Sequence, residues 1–439
     1  MVTQTSLDLT HRRVLHIAVP VVLSNATVPI LGAVDTAVVG QMGLAAPIGA
    51  VGIGAIILSA IYWIFGFLRM GTAGLTAQAI GAGDQDETNA LLVRALMIGF
   101  AGGFIFFVLQ IPLFWGAFHL APASAEVEGM AREYLSIRIY SAPAAIGMYA
   151  ITGWLIAAER TTAVLILQFW LNGLNILLDL LFVLKLGWGV SGVAYATLIA
   201  EWSGLLLGLW MVRDGYLKGY WRNWAQIFEP SKLKRMAMVN GDIMIRSVIL
   251  QIGFVSFLFL GSSFDDVTLA ANQVLLQFMN ITAYAMDGFA IAAETLVGQA
   301  LGAGARPRLR RAVVMTSQWA AGLVVALAII FGVFGLALID VMTTAADVRV
   351  VAAQYLPWMV MAPIIGGASW MLDGIFIGAT RSRDMRNMMI VSFIIYVLAL
   401  AILMPLFGNH GLWAAMMVFF LARGVTLAIK YPALEAAAD

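Results

Sequence analysis

The residues of this chain that are best suited to chemistry are carboxylates standing inside long apolar stretches. Asp35 follows Pro20, Pro29 and Gly32 in its stretch, and no basic residue lies within two helical turns of it. Proline removes a backbone hydrogen bond from a helix, which a membrane helix tolerates where the opened backbone faces a cavity. A carboxylate without a local counter-charge can bind and release a proton as its surroundings change. We therefore expect Asp35 to take up and release a proton or another cation.

A second polar group lies later in the same half of the chain. Asn175 and Asp179 are four residues apart, hence on one helical face, and Thr197 lies in the next apolar stretch. Amide, carboxylate and hydroxyl oxygens form a set that can hold a hard cation such as Na⁺, or a protonated hydrogen-bond network. Polar residues in membranes also simply join helices to each other. Together with Asp35, these residues form a candidate coupling site.

Pairing with an arginine is the structural alternative for such carboxylates, because an isolated charge at the centre of a bilayer is costly. Asp35 could form an ion pair with Arg69 or Arg138, which also lie inside apolar stretches. Glu201 and Glu294 lie in span interiors that carry small residues, and a structural role and a functional role are equally open for them.

The C-terminal half contains a possible polar network of four residues. Asp242 and Arg246 are four residues apart, so a structural ion pair on one helical face is the first expectation. Asp287 and Asp373 also lie in predicted spans, and sequence spacing assigns no partner to either.

The composition indicates an integral membrane protein. Hydrophobic residues make up 62% of the 439 residues and charged residues only 11%, whereas soluble domains contain about 25% charged residues. Cysteine is absent and the four histidines lie near predicted helix ends, which argues against a membrane enzyme with a nucleophile and its base. The net charge of +1 argues against a nucleic-acid partner. No ATP-binding motif is present, and no cofactor is expected.

The apolar stretches are continuous rather than alternating, which predicts helices and not strands. A bilayer-spanning helix needs about 20 mostly apolar residues. On this basis the sequence predicts an all-α fold with twelve transmembrane helices, near 14–39, 48–76, 88–113, 129–157, 162–186, 190–213, 236–262, 267–298, 309–337, 349–378, 385–406 and 410–430.

The distribution of basic residues predicts the orientation. Of the 25 lysines and arginines, eighteen lie at the two termini or in the loops on the same side, and three lie on the opposite side. The remaining four, Arg69, Arg138, Arg246 and Arg423, fall inside spans. This bias places both termini in the cytoplasm and predicts a multi-pass protein of the plasma (inner) membrane.

The two halves of the sequence resemble each other at a shift near 221. The run Gln78–Gly83 (QAIGAG) recurs as Gln299–Gly304 (QALGAG), and a second match relates Gly189 and Gly192 to Gly408 and Gly411 at a shift of 219. We therefore predict two pseudo-symmetric six-helix bundles. Their predicted boundaries are 1–213 for the N-lobe, 214–235 for a cytoplasmic interfacial linker and 236–439 for the C-lobe.

Parallel repeats of this kind are a common plan for secondary transporters, in which a central site is reached alternately from each side. A flippase for a lipid-linked precursor is the second possibility, since it could share the two-bundle layout. Such a protein would need a cavity rich in arginine and lysine to bind pyrophosphate. The predicted spans hold seven carboxylates and four arginines, which favours cationic cargo.

Several runs resemble the multidrug and toxic compound extrusion (MATE) family, and in particular its DinF-type branch. The resemblance covers nearly the full chain. It is carried by Pro20–Gly43 (PVVLSNATVPILGAVDTAVVGQMG), Asp242–Arg246 (DIMIR), Ala283–Phe289 (AYAMDGF), Leu372–Arg381 (LDGIFIGATR) and Gly408–Trp413 (GNHGLW).

The resemblance implies two lobes opening as a V and export of amphipathic, often cationic compounds by antiport. It implies that Asp35 is the family's coupling aspartate and that Asn175, Asp179 and Thr197 complete the N-lobe cation site. The expected ion is H⁺, with Na⁺ as the alternative at the same oxygens. Asp242, Arg246, Asp287 and Asp373 fit the branch without an assigned role, and a monomer is expected.

Overall fold

The computed structural model of the protein describes residues 9–41, 44–120, 124–216 and 223–438, and no strand occurs within these ranges. Residues 42–43 of the family-like first run and residues 217–222 of the predicted linker lie outside the described residues. The helices are α1 (His11–Gly40), α2 (Ala45–Ile64), α3 (Gly66–Gly81), α4 (Gln85–Val108), α5 (Gln110–Leu120), α6 (Ala125–Arg138), α7 (Ala142–Ala157), α8 (Thr161–Asp179), α9 (Gly189–Met211), α10 (Trp224–Ile227), α11 (Pro230–Gly261), α12 (Asp266–Gly302), α13 (Arg306–Met342), α14 (Ala346–Gly378), α15 (Ser382–Phe407) and α16 (Asn409–Glu435).

Eleven helical segments in the described ranges are long and apolar enough to cross a bilayer. In two of them a pair of consecutive helices forms one span: α2 with α3 gives Ala45–Gly81, and α6 with α7 gives Ala125–Ala157. The 30-residue α1 matches the first predicted span. The prediction of an all-α, twelve-helix membrane protein is therefore confirmed. Several helices extend beyond their apolar runs, as α13 does with 37 residues.

The described residues form two compact units. The unit called here the N unit contains Leu23–Thr76 and Asp84–Leu233. The C unit contains the described residues of Met1–Val22, Ala77–Gly83 and Lys234–Asp439. The helices α1 and α3 thus each contribute residues to both units.

Each unit has its own apolar core. In the C unit, Phe257 packs edge-to-face on Trp413, and Phe278 packs in the same way on Phe331; all four rings are buried. In the N unit, a smaller core surrounds Trp154, whose indole nitrogen donates a hydrogen bond to the backbone oxygen of Thr88 at 3.0 Å. Burial of aromatic rings with a satisfied indole N–H stabilises each unit internally.

The repeat of the sequence also appears in the backbone. Four described residues of the N-terminal half have positive φ angles, and three of them have a counterpart with positive φ 221 positions later. Such residues end helices, and glycine adopts this conformation without strain. The pairs are Gly83 and Gly304, Glu159 and Thr380, and Gly187 and Gly408.

The second sequence match, at a shift of 219, has a local structural reason. After α8 the chain continues as a π-helix, Leu180–Lys185, and turns through Gly187 and Gly189, which both have positive φ. The corresponding turn in the C-terminal half contains one such glycine, Gly408. The longer first turn therefore reduces the spacing between the halves beyond this point.

The repeated motif forms a reciprocal contact inside the C unit. A methyl group on Gly81 would collide with the backbone oxygen of Gln299, and one on Gly302 would collide with the backbone oxygen of Gln78. The absence of a side chain at both glycines lets the ends of α3 and α12 cross backbone to backbone. The side chain of Gln78 also donates to the backbone oxygen of Gly378 at 3.0 Å.

Candidate functional site

Three of the four predicted coupling residues meet in the N unit. The side-chain nitrogen of Asn175 donates to Asp35 Oδ1 at 3.1 Å and to Asp179 Oδ2 at 2.7 Å. One amide of α8 therefore joins a carboxylate of α1 to a carboxylate at the end of its own helix. These two carboxylate oxygens lie within about 6 Å of each other, close enough for two negative charges to repel strongly in a protein interior. Asn175 and Asp179 are buried, and Asp35 is half-buried.

The helix periodicity of α8 places this pair and a further contact against α1. Asn172, one turn before Asn175, donates to Thr27 Oγ1 at 2.8 Å, and it accepts a hydrogen bond from Gln168 at 3.0 Å. Polar side chains at intervals of three and four residues thus form one face of α8. That face joins α8 to α1 at the level of Thr27 and again at the level of Asp35.

The site contains buried oxygens that are short of donors. In the described part of the chain, Asp179 Oδ1 and Asn175 Oδ1 are buried and accept no hydrogen bond. The carboxyl groups of Asp35 and Asp179 are both held by the Asn175 nitrogen and are close enough to interact with each other. Two carboxyl groups can share a hydrogen bond only when one of them is protonated. A proton or a small cation would therefore satisfy the arrangement, and a second negative charge would not.

Thr197 lies on α9, and its hydroxyl donates to the backbone oxygen of Val193 at 3.0 Å. No hydrogen bond in the described ranges joins it to Asp35, Asn175 or Asp179. Its membership of the coupling site remains a prediction, and its oxygen still has lone pairs available for a cation.

Arg138 is paired with Glu201 and forms no ion pair with Asp35. Its guanidinium donates to both carboxylate oxygens of Glu201 at 2.8 and 3.1 Å, and also to Ser141 Oγ at 2.5 Å. A two-pronged arginine–carboxylate contact of this kind is geometrically specific. Arg138 is therefore the ion-pair partner of Glu201, and within the described residues no guanidinium forms an ion pair with Asp35 or Asp179.

The predicted ion pair between Asp242 and Arg246 is wrong. Arg246 instead donates to Asp373 Oδ2, and Arg423 donates to the same oxygen at 2.5 Å. Arg246, Asp373 and Arg423 are all buried. Although Asp242 and Arg246 are spaced for an ion pair within one helix, Arg246 pairs with Asp373 of α14, whose carboxylate is more deeply buried than that of Asp242. This cluster holds two guanidinium groups and one carboxylate.

Asp242 has a different partner on α15. Arg386 donates to Asp242 Oδ1 at 2.5 Å, and Ser382 donates to Oδ2 at 3.0 Å. The four-residue network predicted for the C-terminal half therefore divides into two separate groups. Asp287 is exposed on α12, whereas Glu294 on the same helix is buried.

Sequence reasoning did not assign the partners Arg386, Arg423 and Thr27. Arg423 had been recognised as an arginine inside a span, yet its contact with Asp373 bridges 50 positions of sequence. Thr27 had no distinguishing signal. Only the packing of α1 on α8, of α11 on α15 and of α14 on α16 identifies these contacts.

The flippase alternative needs arginine and lysine side chains that are available to pyrophosphate. Arg138 and Arg246 are each paired with a carboxylate of their own unit, Glu201 and Asp373 respectively.

The MatE family model matches residues 20–181 and 243–403 of the chain. The chain belongs to the MatE family. The matched ranges contain Asp35, Asn175 and Asp179, and this membership confirms the predicted MATE-type transporter and the prediction that the protein is not an enzyme. Proteins of this family move small compounds across membranes with ion coupling, and the chain is accordingly a multi-pass membrane transporter.

Relatives of this MatE protein support the DinF-type assignment. The chain is 38% identical to the DNA damage-inducible protein F of Escherichia coli (strain K12) over 420 residues, covering 94% of this chain and 90% of that protein. It is 26% identical to the probable multidrug resistance protein NorM of Rhizobium meliloti (strain 1021), covering 92% and 89%. The fold is similar to the crystal structure of the Vibrio cholerae MATE transporter VcmN in the bent form, with a TM-score of 0.88, 21% identity and coverage of 99% and 98%.

Proposed function

We propose that this MatE protein exports amphipathic, often cationic compounds by antiport with protons, and that Asp35, Asn175 and Asp179 carry the proton. The single observation that supports this most directly is the amide of Asn175 between two carboxylates that have no guanidinium partner in the described ranges. The names of the relatives support multidrug compounds as the cargo. The protein acts as a monomer in the plasma (inner) membrane, with both termini in the cytoplasm. Its two lobes are residues 1–213 and 236–439, and residues 214–235 join them.

The proposed coupling uses the repulsion between Asp35 and Asp179. When both are negative, the pair attracts a cation, and a cationic substrate in the transport pathway lowers the free energy of that state. When a proton enters, the carboxyl groups share a hydrogen bond and the attraction for the cation falls. Pro29 and Gly32 lower the cost of a local change in α1, since proline removes a backbone hydrogen bond and glycine is flexible. A difference in affinity between the two conformations is what drives transport.

Sodium is the alternative ion at the same oxygens. Asp35, Asp179, the Asn175 carbonyl and the Thr197 hydroxyl would supply oxygen ligands of the type that hard cations prefer. The amide of Asn175 would have to turn its oxygen, instead of its nitrogen, toward the ion. Proton coupling requires no such rotation, because the nitrogen already donates to both carboxylates.

The experiment is efflux of tetraphenylphosphonium from proteoliposomes under separately imposed pH and sodium gradients. We expect the parent protein to release tetraphenylphosphonium faster when the pH gradient is imposed. Proteoliposomes with Asp35→Asn or Asp179→Asn should release it no faster than protein-free liposomes. Asp242→Asn is the matched control, because its carboxylate is paired outside this site. Undiminished pH-driven efflux by Asp35→Asn would refute the proton assignment. Efflux driven only by sodium would assign the oxygens to Na⁺.

A further inference from the structure

A groove in the C unit combines an apolar cavity with a basic recess. The apolar cavity has a volume of about 420 Å³ and is lined on two sides by Ser317 and Ala321 of α13 and by Tyr431 of α16. The basic recess is lined by arginines at the start of α13, with Val314, and by a carboxylate at the end of α16. The charged members of the recess are Arg306, Arg310, Arg311 and Glu435.

The two parts of the groove lie on the same faces of the same two helices. On α13, Arg310, Val314, Ser317 and Ala321 follow one another at intervals of three or four residues, which places them in one row. On α16, Tyr431 of the cavity and Glu435 of the recess are four residues apart and therefore lie on one face of the helix. The apolar cavity therefore lies directly beside the basic recess.

The recess carries a surplus of positive charge. Glu435 lies 3.5 Å from Arg306 and offsets one of the three guanidinium groups. Arg310 and Arg311 are exposed and form no ion pair within the described ranges. Two guanidinium groups thus remain available beside an apolar cavity, and arginine is well suited to binding a phosphate through paired hydrogen bonds.

We propose that this groove binds an anionic phospholipid of the surrounding membrane. Arg310 and Arg311 hold its phosphate, and one acyl chain lies in the apolar cavity along α13 toward Ala321. The length of α13, 37 residues against the roughly 20 that a bilayer needs, allows its first turns to stand at the level of the headgroups. The surplus positive charge selects against the cationic amphiphiles proposed as cargo. The site lies entirely within the C unit and uses none of the coupling residues.

The competing explanation for these arginines is topological, since basic residues gather at one end of membrane helices without binding any particular lipid. Arg383 provides the matched control. It is exposed near the start of α15 in the same unit and lies outside the groove. Arg310→Gln and Arg383→Gln therefore remove the same charge, but only the first removes a lining residue of the recess.

The test measures the melting temperature of the purified protein, and its lipid adducts by native mass spectrometry, in detergent micelles with dioleoyl phosphatidylglycerol. Dioleoyl phosphatidylcholine serves as the neutral lipid. We expect phosphatidylglycerol to raise the melting temperature of the parent and of Arg383→Gln equally. The affinity of Arg310→Gln should be lower by about tenfold, as expected for the loss of one charged hydrogen bond. Ala321→Phe fills the apolar cavity and should reduce the affinity for the dioleoyl lipid to that for dihexanoyl phosphatidylglycerol.

Four results would overturn the proposal. Equal stabilisation by phosphatidylcholine would show that the groove does not recognise the net negative charge of the headgroup. Equal losses of affinity in Arg310→Gln and Arg383→Gln would favour the topological explanation. Stabilisation by inorganic phosphate to the same extent would assign the recess to a free anion. Displacement of phosphatidylglycerol by tetraphenylphosphonium would assign the groove to cargo. Because the readout is binding, these outcomes are independent of whether Asp35 couples efflux to protons.

Discussion

Asn175 donates a hydrogen bond of 3.1 Å to Asp35 and thereby joins α8 to α1 across 140 positions of sequence. The same nitrogen also donates a hydrogen bond to Asp179 Oδ2 at 2.7 Å. Leucine at position 175 would keep the approximate size of the side chain and remove this shared donor. We expect Asn175→Leu to lose pH-driven efflux in proteoliposomes, because the two carboxyl groups are no longer held together to share a proton.

The matched control for this prediction is Asn172→Leu, one turn earlier on the same helix. Asn172 also joins α8 to α1, but through Thr27 and not through a carboxylate. Each substitution removes two side-chain hydrogen bonds worth about 1 kcal/mol or more apiece, so a loss in melting temperature is expected for both. Only Asn175→Leu should lose the response to pH. Equal efflux by the two variants would show that the Asn175 amide serves structure alone.

Gly302 meets the backbone oxygen of Gln78 without room for a side chain. Gly302→Ala should destabilise the protein by about 1–3 kcal/mol or more, because neither backbone can move aside without disturbing the crossing of α3 and α12. The measurement is the melting temperature in detergent. Gly322→Ala on α13 is the control, because nothing lies within 4 Å of a methyl group there. A neutral Gly302→Ala would show that this crossing is not tightly constrained.

The helices and their repeat could be predicted because they depend on local properties of the chain. Continuous apolar runs located the spans, and QAIGAG with its later copy QALGAG indicated the repeat of the two halves. No sequence pattern indicated the π-helix at Leu180–Lys185, which precedes the longer turn before α9. The helix ends beyond the apolar runs were also missed, since polar first turns carry no hydropathy signal.

The candidate site was predictable in part. Spacing alone placed Asn175 and Asp179 on one face of α8. Their grouping with Asp35 rested on their place in the same half of the chain and on the family resemblance. The choice of ion-pair partners could not be read from spacing. Asp242 and Arg246 have the right separation for an ion pair within one helix. Each instead binds a residue of another helix, because the packing of the helices brings that residue within hydrogen-bonding distance.

Asp265 caps the start of α12 outside the membrane-spanning segment. Its carboxylate accepts a hydrogen bond from the Thr268 hydroxyl at 2.7 Å and from the Thr268 backbone nitrogen at 2.8 Å. These hydrogen bonds lower the pKa of Asp265 below its ordinary value of 3.8. A lowered pKa in the folded state contributes stability above the unfolded value, and this contribution is lost as the pH falls through the folded pKa.

Asp265→Ala should therefore have a lower melting temperature than the parent at neutral pH, and the difference should shrink as the pH falls below 3.8. The measurement is thermal unfolding in detergent across this pH range. Asp266→Ala is the control, since it removes an equal charge from the first turn and leaves the cap in place. A difference that persists unchanged below the folded pKa would contradict the role of the ionised cap.

The final prediction concerns the cluster of two arginines on one carboxylate in the C unit. Asp373→Asn leaves the buried Arg246 and Arg423 without their shared negative partner, so we expect a loss of about 3–5 kcal/mol in the free energy of unfolding. Arg423→Met instead leaves a balanced pair of Arg246 and Asp373 and fills the space with an apolar side chain. This variant should be far less destabilised, since replacing one buried charge of an unbalanced cluster removes a desolvation cost.

The asymmetry between these two variants is the critical result, and denaturation in detergent measures it. Arg423 also lies over the rings of Phe419 and Phe420, each 5.7 Å away, so Arg423→Met gives up weak cation–π contacts as well. If Arg423→Met were as damaging as Asp373→Asn, those ring contacts would outweigh the surplus charge. Arg386→Met removes the charged partner of Asp242, which keeps the hydrogen bond from Ser382, so this variant should lose less stability than Asp373→Asn.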